Sequence, residues 1–91
     1  MRAKRTDDNQ TEIVNGLRQV GATVQILSAV GEGCPDILVG IFGRNYVMEI
    51  KNPDQPKSAQ ALTAKEAIWH NEWKGQKSIV RNIDEALAEI R

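Results

Sequence analysis

Ninety-one residues fit one compact domain, 1–91, and leave little room for a second, because a single core is commonly built from on the order of 100 residues. An apolar fraction of 41% with 26% charged residues and a mean hydropathy of −0.43 describes a folded chain and argues against a membrane protein or a polar tail. Twelve Lys and Arg balance twelve Asp and Glu, so bulk electrostatics gives no support for nucleic-acid binding, and any such case must rest on local chemistry.

The chain starts with a basic stretch, Met1 to Arg5, read as part of a flexible arm over 1–6. Polar residues follow where a signal peptide would need its hydrophobic segment, and no apolar run reaches the roughly 18 residues of a bilayer span. The expectation is a soluble, cytoplasmic protein. Asp7 or Asp8 is placed to cap a helix in which Ile13, Val14, Leu17 and Val20 recur at helical spacing, and Gly21 is placed to end it. The segment 22–27 reads as a strand, and a glycine-rich turn over 31–35 follows. Its Cys34 is the single cysteine, which excludes an intramolecular disulfide and a CxxC zinc site.

Two apolar runs, 36–42 and 46–51, flank Gly43-Arg44-Asn45 and give the strongest hairpin signal in the chain. Pro53 and Pro56 stop the second strand, so 52–61 reads as a polar loop. Thr63 then caps a helix to about Lys74, with Glu66 at the third helical position completing a capping box. Gly75 ends it, a short strand covers 78–80, and a last helix covers 84–91. The order is αβββαβα, an α/β fold with a mixed sheet flanked by helices.

Chemistry is concentrated in Pro35-Asp36, a gap of twelve residues, and Glu49-Ile50-Lys51. If Gly43-Arg44 is the two-residue hairpin loop, Asp36 lies across from Lys51, and Glu49 shares their face, diagonal to Asp36 at roughly 7–8 Å between Cα atoms. Shifting the loop to Arg44-Asn45 keeps that parity, whereas a three-residue loop would put Asp36 on the opposite face. Asp36 and Glu49 can then share a magnesium-type ion, with the Ile50 carbonyl as a third oxygen and the Lys51 ammonium orienting the attacking water and stabilising the transition state. Such parts suit phosphodiester hydrolysis. A PD…ExK match alone is weak; its weight here comes from the carboxylates falling at the ends of adjacent predicted strands beside a long loop.

These motifs resemble the PD-(D/E)xK nuclease superfamily, and more narrowly the virus-type replication-repair nuclease (VRR-NUC) domain in its stand-alone phage form. The matching stretches are Glu12 on the first helix, Gly33 to Leu38, Met48 to Lys51, and the tail from Leu62-Thr63 through Trp73 to Leu87. The resemblance implies a restriction-endonuclease-like core and a place for Glu12 in the metal site. It also implies a Mg²⁺- or Mn²⁺-dependent deoxyribonuclease acting on branched or Holliday-junction-like DNA in phage replication, recombination or repair, in a phage or its bacterial host cell. In that family a glutamine after the polar loop supports the site. Here Ala64-Lys65-Glu66 occupies the stretch, leaving Gln60 or Glu66 as substitutes.

Arg44, Lys57 and Gln60 are candidate DNA contacts. Trp69 and Trp73, one helical turn apart, fit a core or a dimer contact better than base stacking. His70, the only histidine, lacks partners for a zinc or HNH-type site and reads as a surface residue. The apolar content exceeds what a thin sheet with three short helices needs, which favours a homodimer. The rival readings are a non-catalytic DNA-binding module and a nicking or exonucleolytic nuclease within a larger repair complex.

Overall fold

A computed structural model describes the backbone of residues 5–91 and the side chains of 9–91. Helix α1 (Arg5–Gln19) leads into strand β1 (Thr23–Ile26), the hairpin β2 (Ile37–Ile41) and β3 (Arg44–Ile50), helices α2 (Lys57–Gln60) and α3 (Ala64–Glu72), strand β4 (Lys77–Val80) and helix α4 (Ile83–Glu89). This is the expected order with one addition, the single turn of α2 inside the polar loop. Helix α1 begins before Asp7 and Asp8, so both lie within it and neither is its cap. Of the arm expected over 1–6, residues 1–4 lie outside the described residues and Arg5 and Thr6 are helical.

The exit of α1 follows its sequence signal. Gly21 adopts φ +98, its N–H donates to the Arg18 carbonyl at 3.0 Å, and the Ala22 N–H donates to the Leu17 carbonyl at 3.1 Å. That pair of bonds is a Schellman termination, which satisfies carbonyls the helix end would leave orphaned. Leu17 and Ala22 are both buried, so the turn also delivers the chain to the core.

The sheet runs β1-β2-β3-β4, antiparallel except for the parallel pair β3 and β4. A parallel neighbour requires a crossover of a dozen or more residues, and 51–76 supplies it. Strand alternation then separates two faces. Ile37, Val39, Tyr46, Met48, Ile50 and Val80 join Ile13, Leu17, Ala86 and Ile90 of α1 and α4 in one apolar core. Asp36, Glu49 and Lys51 take the opposite parity.

The hairpin turn is Phe42-Gly43, one residue earlier than the first expected loop and two earlier than the second: Ile41 pairs with Arg44, and Phe42 and Gly43 both have positive φ, 55° and 74°. Two successive left-handed residues are the type I′ geometry, whose twist matches that of the strands it joins. Moving the turn by one residue moves the register by two and keeps the parity. The three candidate side chains therefore stay on one face, but their partners change. The register Ile37 to Met48 brings Asp36 level with Glu49, not with Lys51.

No helix among the described residues is long and apolar enough to cross a membrane. Trp69 and Trp73 are absent from the apolar core. They stack on one another, ring centroids 4.7 Å apart and planes 16° apart, and Trp73 stays 43% exposed. His70 is buried, contrary to the surface role expected of it: α3 turns it inward, where its Nε2 finds no partner among the described residues.

Candidate functional site

Asp36 is anchored through both its backbone and its side chain. Its N–H donates to the Met48 carbonyl at 3.1 Å and its carbonyl accepts from the Leu27 N–H at 2.8 Å. The carboxylate reaches beyond the end of β2, where Oδ2 accepts the Ile50 N–H at 2.7 Å. The bond to Met48 is one residue out of step with the ladder, and the side chain replaces the backbone partner that Ile50 would otherwise lack. A short side chain after Pro35 thus finishes the sheet and points a carboxylate at the strand end.

Glu49 is 3% exposed, and its Oε1 has no hydrogen-bond partner among the described residues. Lys51 Nζ lies 3.5 Å from Glu49 Oε2 and 2.9 Å from Glu66 Oε1. Glu66 arrives from α3 through the capping box read in the sequence: Thr63 Oγ1 accepts the Glu66 N–H at 3.2 Å, and Glu66 Oε1 accepts the Thr63 N–H at 2.9 Å. The glycine-rich turn locks that helix start in place. Gly33 has φ +82, and a Cβ there would sit 2.4 Å from the Lys65 carbonyl oxygen, so only glycine allows this approach.

Together Asp36, Glu49, Ile50, Lys51, Asn52, Gln55, Ala59 and Glu66 line a cleft of about 280 Å³. Burial pushes the Glu49 carboxyl up to about 8, helped by the neighbouring charges of Asp36 and Glu66 and only partly offset by Lys51. Burial also raises Asp36, against the lowering effect of the Ile50 hydrogen bond. Lys51 moves the other way from its burial: desolvation would lower it, but the Glu66 hydrogen bond and the Glu49 charge leave it above the usual lysine value. For Glu66 burial is likewise outweighed, by the Thr63 N–H and by Lys51, and it lies below the usual glutamate value. The site thus holds Lys51 paired closely with Glu66 and more loosely with Glu49, and one pair of crowded carboxyls, Asp36 with Glu49.

Crowded, desolvated carboxyls with an unpartnered oxygen fit a divalent cation. No three or more His, Cys, Asp or Glu side chains form a metal-holding group among the described residues. A magnesium-type ion needs fewer, since one or two carboxylates, a backbone carbonyl and water or substrate oxygens complete its octahedron. Asp36 and Glu49 would supply the carboxylates, and Ile50 lines the same cleft.

The other candidates are dispersed. Glu12 is exposed on α1 and lines an adjoining cavity of about 300 Å³ with Asn9, Pro53, Asp54, Arg81 and Asn82; Asn52 borders both spaces. From the same helix it is Asn9 that reaches the site strand, donating through Nδ2 to the Lys51 carbonyl at 3.1 Å. Gln60 braces the polar loop: its Nε2 donates to the carbonyls of Gln55 at 2.8 Å and Pro53 at 3.3 Å, and its Oε1 accepts from Arg81 Nε at 3.4 Å. Lys57 is exposed at the start of α2. Arg44 stands at the hairpin end of β3, about 17 Å along the strand from Glu49 at some 3.4 Å per residue, so it does not share the cleft.

Asn9, Asn52 and the Lys51 contact of Glu66 escaped the sequence reading. Asn9 carries no local signal, because its partner is 42 residues away. Asn52-Pro53 is a turn signal, realised as the Asp54 N–H donating to Asn52 Oδ1 at 2.9 Å, which gave no hint of the residue's burial. Comparison with protein-family models, curated proteins and solved structures returns no match.

Proposed function

We propose that this protein is a Mg²⁺- or Mn²⁺-dependent deoxyribonuclease of the PD-(D/E)xK type, close to the VRR-NUC form, that hydrolyses phosphodiester bonds in branched or structured DNA. The observation that carries the reading is the apposition of Asp36 and Glu49 at one strand end, with an unpartnered Glu49 oxygen and Lys51 beside them. A bound divalent cation would polarise the scissile phosphate and lower the pKa of a water on it. Asp36 and Glu49 would hold that ion, and Asp36 is fixed for the task by the Ile50 N–H. Lys51 stays cationic, kept so by Glu66, and its ammonium is placed to orient the attacking water and to offset charge building on the phosphoryl oxygens.

The cleft supports this chemistry over acyl transfer, because its polar side chains are carboxylates, amides and one lysine, with no histidine and no serine. In the same reading the active species is a homodimer; Val20 and Phe42, 50% and 80% exposed, border an apolar groove with Ile41, Leu87 and Ile90 that suits a subunit contact. The deciding experiment is cleavage of linear, nicked and four-way DNA with Mg²⁺, Mn²⁺ or EDTA. Metal-dependent cuts that favour the branched substrate are expected, and no cleavage with either metal would overturn the proposal.

A further inference from the structure

Lys51 is ion-paired with two carboxyl groups and lies closer to one of them. Its distance to Glu66 Oε1, 2.9 Å, is that of a charge-assisted hydrogen bond, whereas 3.5 Å to Glu49 Oε2 is outside that range. Glu66 is not free to change this. The Thr63 N–H holds the same Oε1 at 2.9 Å, and Gly33 presses the motif turn against the first turn of α3. Lysine, by contrast, is a compact charge on a flexible stem that can follow whichever anion is offered. Without Glu66 the nearest anion for Lys51 would be Glu49, whose second oxygen has no partner.

We propose that Glu66 is a positioning residue: by drawing the Lys51 ammonium toward itself it limits the hold of Lys51 on Glu49 and keeps the Glu49 carboxylate open to a divalent cation. The inference rests on the metal-dependent reading above. A lysine collapsed onto Glu49 would neutralise that carboxylate and compete with the cation for it. Asp36, held in place by the Ile50 N–H, would then be the one carboxylate left to the ion.

Mn²⁺ affinity by titration calorimetry, read beside cleavage kinetics, tests the idea on five proteins: wild type, Glu66→Ala, Glu66→Gln, Thr63→Ala and the double variant Glu66→Ala/Lys51→Met. Glu66→Ala is expected to weaken Mn²⁺ binding about 10-fold and kcat about 10- to 100-fold, with KM for DNA moving less than about threefold. Glu66→Gln keeps an oxygen for both hydrogen bonds and should stay within about threefold of wild type in both quantities. Thr63→Ala weakens the helix cap but leaves the backbone N–H to Glu66, so it should lower Tm without changing Mn²⁺ affinity. The double variant should regain near wild-type Mn²⁺ affinity, because the competing ammonium is gone. Unchanged Mn²⁺ affinity in Glu66→Ala, or a double variant as weak as Glu66→Ala, would overturn the proposal, as would a wild type that binds no Mn²⁺. A wild type that shows the full binding pattern yet cuts no DNA would instead sink the nuclease reading and leave the role of Glu66 standing.

Discussion

The two faces of the sheet obey opposite rules although the same strands build them. On one, Ile37, Val39, Met48 and Val80 are fully buried and join residues of α1 and α4 in one apolar cluster. On the other, Glu49 and Lys51 are buried nearly as well, yet they carry charge, crowd like groups together and leave one carboxylate oxygen unpartnered. Burial stabilises the first face by removing hydrocarbon from water, and on the second it costs stability by stripping carboxylates of solvent. Depth alone therefore does not distinguish structural from functional residues here; the chemistry of what is buried does.

Substitutions can break that contrast most directly at the carboxylates. Asp36→Ala and Glu49→Ala should each abolish metal-dependent cleavage, a loss beyond about 10³-fold, while circular dichroism and DNA binding remain close to wild type. Turnover near wild type in either variant would remove the functional meaning of the polar face. Lys51→Ala should come next, lowering kcat by about two to four orders of magnitude with Mn²⁺ still bound, as suits a group acting on transition-state charge. Unchanged kinetics would take Lys51 out of catalysis.

The apolar face should answer in stability instead. Leu17→Ala removes a fully buried side chain and is expected to cost about 2–5 kcal/mol, read as a lowered Tm and denaturation midpoint, with normal specific activity of the folded fraction. A smaller but sharper effect is the dependence of Tm on pH. Glu49 rises from an ordinary 4.5 to about 8 in the folded chain, so between those values the folded state keeps a proton that the unfolded chain has released. Stability from this group is therefore fully present below about pH 4.5 and falls as pH rises to 8; Asp36, also raised, acts in the same direction, while Glu66 and the buried His70, both lowered, act against it with stability that is lost as pH falls. In EDTA, Tm should drop by several °C between pH 5 and 8, Mn²⁺ should flatten that slope, and Glu49→Gln should reduce it. A Tm that rises over the same interval in EDTA would contradict the crowded-carboxyl account.

The sequence by itself determined what short-range hydrogen bonds and strand parity control. The Gly21 exit from α1, the Thr63-Glu66 capping box and the shared face of Asp36, Glu49 and Lys51 depend on residues a few positions apart, or on an even and odd count that survives a shifted turn. Only the tertiary structure decided which of those groups meet. A turn at Phe42-Gly43 moved the partner of Asp36 from Lys51 to Glu49, because a one-residue change in a loop is a two-residue change in register. The crossover over 51–76 laid α3 against the motif turn, and the close approach at Gly33 brought Glu66 to Lys51, a contact across 15 residues that a helix cap cannot announce. Likewise it was Asn9, rather than Glu12, that the packed helix α1 brought to the site strand. Local chemistry selects the elements, but the distances between their ends are set by packing, and it is at those ends that the charged groups of this protein are brought together.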